Sequence, residues 1–251
     1  MHWHELKDEP GGLELLVEPG DAPARPAFHL QAEQQFLRLM VLSSPLLWAR
    51  RSGDGYCYLR SDRDFSVLEP LTALLSRAAE APMGSPGYRA YWARELAARL
   101  MASPVTPLHP GRWSLRPADA PPSLALLPSQ PSLGHSGVAP LPPLALRPLS
   151  QLDGDQLKAW REAFRESSLP PILMMRMSGL ERLVILDGHD RLAAALAEGG
   201  MPEVMILSLA DEDASSGWPL PGGTERWLEE VRRHMPDGAE NALSEALLAG
   251  V

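Results

Sequence analysis

The sequence predicts an α+β protein in two parts joined by a proline-rich connector. Three observations predict it. Runs of strand character alternate with runs of helical spacing on both sides of the chain's middle. The chain holds 26 prolines, and nearly half of them lie between Pro104 and Pro148. In 251 residues, 45% are hydrophobic and 22% charged, a balance that supports a sizeable core.

Residues 1–116 read as a small α+β domain. GGLELLVEPG predicts a strand that ends in a turn. LQAEQQFLRLMVL has helical spacing at Phe36, Leu37, Met40 and Val41, which predicts a helix. LLWARRSGDGYCYLR predicts a hairpin, because two strand-like runs flank Ser52-Gly53-Asp54-Gly55. FSVLEPLTALLSRAAEA and SPGYRAYWARELAARLMAS predict two helices. Ser85 can cap the second, with Pro86 at its first position. Its stripe of Tyr88, Tyr91 or Trp92, Leu96 and Leu100 predicts a face turned to the core.

Residues 117–143 form the connector. No Asp, Glu, Lys or Arg lies between Asp119 and Arg147. Proline fixes φ and removes a donor, so a continuous helix or a central strand is excluded there. The leucines and alanines predict an extended segment that packs along the surface, with a disordered linker as the other reading.

Residues 144–210 predict a compact mixed α/β pattern. LALRPL is a short strand. Asp153, with Gln156, caps a helix over 155–167 whose stripe is Leu157, Trp160 and Phe164. Leu169-Pro170-Pro171 ends it. ILMMRM and RLVILD are strands around a turn at Ser178-Gly179. A helix over 189–198 buries Leu192, Ala195 and Leu196 and stops at Gly199-Gly200. EVMILSL is a last strand. Residues 211–251 form a helical tail, with TERWLEEVRRHM amphipathic about Trp227 and Val231.

The net charge of -9 gives no electrostatic footprint for general nucleic-acid binding. One cysteine, Cys57, forms no internal disulfide and predicts a reducing compartment. MHWHELKDEP is polar, which predicts no secretory signal, and no apolar run reaches bilayer length. A cytoplasmic protein is the expectation. His2, Trp3 and His4 read as a terminal tail, and His109, His135 and His234 stand apart from one another.

The chemistry gathers at Asp187-Gly188-His189-Asp190-Arg191, where a buried strand meets a helix. A helix N-terminus presents unpaired N–H groups and partial positive charge. Gly188 lets a backbone come close to a ligand, and Arg191 adds a fork of donors suited to phosphate. Together they describe an anion site. The plain alternative is a capped turn: Asp187 as the N-cap, Asp190 complementing the helix dipole, Arg191 in solvent.

Residues 144–208 resemble the ParB/sulfiredoxin superfamily. LRPLSQL entering a helix, LPPILMMRM, and LVILDGHDRLAAALAEGGMPEVMIL carry the resemblance, which covers about a quarter of the chain. The superfamily includes DNA-partition CTPases, sulfiredoxins and ParB-like free-serine kinases. The kinases' Asp-Gly-His-His-Arg turn is similar to the one here. The resemblance implies ATP or CTP, with phosphates on Gly188, His189 and Arg191, and a metal or proton-transfer role for Asp187. At position 190 these families often carry His or Arg; here Asp190 stands, which repels phosphate unless Mg²⁺ bridges the two. The resemblance thus implies a nucleotide set of Gly188, His189, Asp190 and Arg191, a Mg²⁺ set of Asp187 and Asp190, and a catalytic pair of Asp187 and His189. Sulfiredoxin's cysteine would fall at His189, so sulfinic-acid repair is not implied. A basic DNA-binding continuation is replaced by the acidic LADEDASSG, so chromosome partition is not implied either.

The expected function is thus an ATP- or CTP-dependent phosphotransferase or NTPase. The rival is a non-catalytic interaction module with a degenerate nucleotide site, which engages a partner protein through the N-terminal domain or the proline-rich segment. A nuclease is a third reading, and the acidic balance and missing metal cluster argue against it.

Overall fold

A computed structural model describes residues 2–6, 11–19, 27–33, 36–52, 55–60, 83–103, 106–129, 133–136, 143–146, 149, 154–177 and 182–210. In chain order the elements are β1 (His2–Glu5), β2 (Leu13–Val17), β3 (Phe28–Glu33), β4 (Phe36–Val41), β5 (Ser44–Ser52), β6 (Gly55–Arg60), α1 (Pro86–Ala102), β7 (Gly111–Ala118), a 3-10 segment (Pro122–Ser129), β8 (Leu133–Ser136), β9 (Leu144–Ala145), α2 (Gly154–Arg165), β10 (Ile172–Met177), β11 (Arg182–Asp187), α3 (His189–Ala197) and β12 (Val204–Leu209). The protein is α+β. Among the described residues no helix is long and apolar enough to cross a membrane.

The described residues fall in two compact units. One draws on 1–26, 65–128 and 142–214, the other on 27–64 and 129–141. The second unit is an antiparallel sheet in the order β3-β4-β5-β6-β8. The expected hairpin is present, with Ser52 opposite Gly55. The helix expected at LQAEQQFLRLMVL is not: its residues run through β3 and β4, with Phe28 opposite Val41 and Glu33 opposite Phe36. β4 pairs on its other side with β5, and Arg38, Leu39, Met40 and Val41 are all buried. A strand bonded on both sides outweighs local helical spacing in a short apolar run. β8, from the proline-rich connector, pairs with β6 and sets His135 opposite Cys57.

The first unit is a mixed sheet in the order β1-β2-β7-β12-β10-β11-β9. β10 runs parallel to β12 and antiparallel to β11. Strands on both sides of the connector therefore share one sheet, where the sequence reading divided the chain at 117–143. The join is the antiparallel pairing of β7 with β12, in which Leu115 faces Leu207. Backbone pairing of this kind leaves no local mark in a sequence.

The centre of this sheet is deeply buried. Ile172, Leu173, Met174 and Met175 of β10 are all buried, as a near-continuous apolar strand should be. Ile172, Met174, Ile185 and Val204 pack with Leu192 of α3 and Leu124 of the 3-10 segment. α1 packs against β2 and β7. Ser85 caps α1 by accepting from Tyr88 N–H at 3.2 Å, with Pro86 opening the helix. Tyr88, Trp92, Leu96 and Leu100 form its buried stripe, and Tyr88 and Tyr91 both meet Trp92 edge to face.

α3 ends as its glycines predict. Gly199 has φ 75, its N–H bonds to Leu196 C=O, and Gly200 N–H bonds to Ala195 C=O. The ring of Phe164 occupies the space a side chain on Gly200 would need. α2 spans Gly154–Arg165, and its stripe of Leu157, Trp160 and Phe164 is half-buried rather than buried. The Asp153 cap, the Gly53-Asp54 and Ser178-Gly179 turns, the helix expected at 65–81 and the helical tail at 211–251 lie outside the described residues.

Two ion pairs tie α2 to the end of α3: Glu198 accepts from Arg161 Nε and, at 3.0 Å, from Arg165 Nε. The hydrogen bonds from Arg161 and then Arg165 hold the Glu198 carboxyl below its ordinary value. A carboxylate depressed in the folded state adds stability above its unfolded pKa and loses it as pH falls through the lower folded one. Glu198→Gln should therefore be less stable than wild type at neutral pH. Urea melts should show that gap closing once pH falls well below about 4.3, the ordinary glutamate value. A gap of equal size at both ends would remove the ion pairs as its cause.

Candidate functional site

The five residues of the strand–helix junction sit where β11 gives way to α3. Asp187 is the last residue of β11 and lies opposite Leu173, beside a register shift in β10. Gly188 is the N-cap of α3, with φ 98 and ψ 22, a left-handed conformation. A Cβ there would lie 2.7 Å from Ile172 Cγ2, 2.8 Å from Arg191 Nη2 and 3.1 Å from Ile172 Cα. Glycine is required twice over, by conformation and by space. Leu192 N–H then bonds to Gly188 C=O at 2.8 Å and starts the helix. The N-cap position belongs to Gly188 rather than Asp187, and Gly188 supplies no side-chain cap.

Arg191 is 1% exposed. Its Nη2 donates to Asp187 Oδ2 at 2.9 Å and to Pro171 C=O at 3.0 Å. Its guanidinium carbon lies 5.9 Å from the centroid of the Trp160 ring, within cation–π range. Sequence reasoning set this arginine either in solvent or on a ligand. The structure turns it inward, one helical turn back onto Asp187, which is itself fully buried. Desolvating two charges costs on the order of several kcal/mol per ion, and their contact offsets it only with further hydrogen bonds. Pro171 C=O supplies one. Among the described residues, Arg191 Nε and Nη1 and Asp187 Oδ1 have no hydrogen-bond partner. This turn therefore holds three buried polar atoms with bonding capacity to spare.

His189 is 1% exposed and occupies the first helical position. Its Nε2 accepts the Leu146 N–H at 3.0 Å, just past β9. An imidazole nitrogen that accepts carries no proton, so the ring's proton is on Nδ1. Asp190, half-buried in the first turn of α3, places negative charge at the positive end of the helix. The structure thus brings Asp187, Gly188, His189 and Arg191 into one buried cluster, with Asp190 at its rim.

Three partners were not visible in the sequence. Leu146 and Pro171 contribute backbone groups, which any residue would offer. Trp160 was legible only as part of an apolar stripe. Among the described residues no group of three His, Cys, Asp or Glu side chains could hold a metal ion. Asp187 and Asp190 are the carboxylates of the turn. One or two carboxylates suffice for Mg²⁺ when phosphates complete its shell.

Comparison with protein families, with curated proteins and with solved structures finds no match to this chain.

The two glycines that bracket α3 separate space from conformation. Gly199 is left-handed with nothing within 4 Å of where a Cβ would stand, whereas Gly188 is left-handed and crowded. Gly199→Ala should cost about 1 kcal/mol, the conformational penalty alone. Gly188→Ala should cost about 3 kcal/mol, because Ile172 and Arg191 must also give way. Equal losses in denaturant melts would mean that the contacts at Gly188 do not constrain the turn.

Proposed function

We propose that this chain is an ATP- or CTP-dependent phosphotransferase or NTPase that holds the nucleotide's phosphates at the Asp187–Arg191 turn, in a ParB/sulfiredoxin-like domain over 144–210. One observation carries the reading. At the N-terminus of α3 a guanidinium, fixed by Asp187 and Pro171, keeps two buried nitrogens without acceptors among the described residues. Buried donors rarely stay unpaired, and helix N-termini suit phosphate. Phosphate oxygens would satisfy Arg191 Nε and Nη1 together with the first amides of α3.

The remaining roles follow from the atoms. His189, protonated on Nδ1, would donate from that nitrogen to a phosphate oxygen. Asp187 Oδ1 would hold Mg²⁺ or accept the acceptor's proton, and Asp190 would share the metal, which offsets its repulsion of phosphate. Mg²⁺, when bound, supplies neutralisation of charge that develops on the transferred phosphoryl group.

Burial favours a second reading. Arg191 and His189 are each 1% exposed and already serve the fold. A turn so used fits a non-catalytic module with a degenerate nucleotide site, whose partner protein binds at the N-terminal half or the proline-rich segment.

Titration with Mg·ATP and Mg·CTP decides between them. Binding at a hundred times Kd should add about 2.7 kcal/mol to stability and raise Tm by several degrees. Arg191→Ala should abolish that rise. Because it strands Asp187 in the core, the double variant Asp187→Val, Arg191→Met is the companion test: replacing both buried charges by apolar groups is often neutral for stability. No calorimetric heat and no Tm shift with either nucleotide in wild type would overturn the nucleotide reading in favour of the second.

A further inference from the structure

We infer that Tyr88 of α1 is a positioning residue for the Asp187–Arg191 turn, acting through the buried segment Leu169–Pro171. The inference rests on the nucleotide reading and gives part of the N-terminal half a role in it.

Three contacts make the chain of action. Tyr88 is fully buried, and its hydroxyl donates to Leu169 C=O. At the other end of the segment, Pro171 C=O accepts from Arg191 Nη2 at 3.0 Å. The next residue, Ile172, fills the space where a side chain on Gly188 would stand, and Leu173 lies opposite Asp187. The segment between phenol and guanidinium is thus three residues, Leu169, Pro170 and Pro171, all buried. Two consecutive prolines fix φ and leave little freedom to absorb a shift, so a displacement at Leu169 passes to Pro171. With it would move the acceptor that sets the direction of Arg191.

The surroundings of Tyr88 agree. Burial pushes its phenol well above the ordinary tyrosine value, Glu203 pushes it further, and the positive charge of Arg191 opposes both. Tyr88 is therefore a neutral donor within electrostatic reach of Arg191. Its neighbour Arg89 pairs with Glu203 at 3.3 Å, and Glu203 C=O accepts the Ile172 N–H at 2.9 Å. The first turn of α1 thus holds the start of β10 from both sides, by Leu169 and by Glu203.

The test is Tyr88→Phe, which removes one hydroxyl and keeps the ring. Calorimetric titration with Mg·ATP and Mg·CTP should show affinity about tenfold weaker than wild type, the lower end of what outer partners of a binding group contribute. Leu100→Ala, at the far end of α1, removes more packing and should lower Tm more while leaving affinity unchanged. In an Arg191→Lys background the loss of the hydroxyl should cost no further affinity, because the group it positions has gone. If wild type binds and Tyr88→Phe binds equally well, the positioning role is wrong and the nucleotide reading stands. Affinity that follows Tm across Tyr88→Phe and Leu100→Ala would also overturn it, as would additive losses with Arg191→Lys. If wild type binds neither nucleotide, both readings fall.

Discussion

The buried pair of Asp187 and Arg191 is the constraint around which the first unit is arranged. Two opposite charges sit in the interior, one at the end of β11 and the other one helical turn into α3. They meet only because Gly188 reverses the chain in a left-handed conformation with no side chain in the way. An ion pair without water is a poor bargain unless its remaining lone pairs and protons find partners. That requirement draws in Pro171 C=O and sets the Trp160 ring within cation–π range. It also explains why Ile172 stands hard against Gly188: the start of β10 must come close enough to offer a carbonyl. His189 closes the other side by taking the Leu146 N–H.

What the sequence made legible follows the reach of each interaction. Ser85 and Pro86 start α1, and Gly199-Gly200 stop α3, because capping is settled within a few residues. The hairpin through Ser52 and Gly55 was legible for the same reason. The errors lie where partners are distant. β4 reads as helix because Phe36, Leu37, Met40 and Val41 fit a helical face, and only its pairing with β3 and β5 decides otherwise. The shared sheet was hidden because Leu115 and Leu207 meet through backbone bonds that no side chain encodes. At the strand–helix junction, the gathering of polar residues was legible and the direction of their side chains was not. Asp187 and Arg191 stand four apart, a spacing for a helical ion pair. Spacing alone does not say that the pair turns inward.

Asp190 bears on the chemistry in a way the other four do not. A carboxylate in the first turn of α3 stabilises the helix through its dipole, and the same field draws phosphate. The two therefore compete for one electrostatic feature. A helix end that already has its anion gains less from a second one. A divalent cation held by Asp190 would relieve the competition, since it would offset both negative charges. In the nucleotide reading, Asp190 thus makes the metal a condition of affinity rather than an aid to catalysis alone.

The position of α1 extends this logic past the turn. α1 packs on β2 and β7, and its register at the first turn is set by buried Trp92, which meets Tyr88 edge to face. That register fixes where Tyr88 and Arg89 project, and both act on the residues flanking the start of β10. The same strand supplies Ile172 against Gly188 and leads directly from Pro171. Packing that has nothing to do with a ligand therefore determines the direction of Arg191. A rigid support of this kind suits a buried charge. Among the described residues Arg191 Nε and Nη1 already lack acceptors, so a displacement of the Pro171 carbonyl would leave Nη2 with Asp187 alone. β1, β2, α1 and β7, all before the connector, belong to the same unit as the turn after it, and the cost of misplacing the buried charge is shared across both sides of the connector.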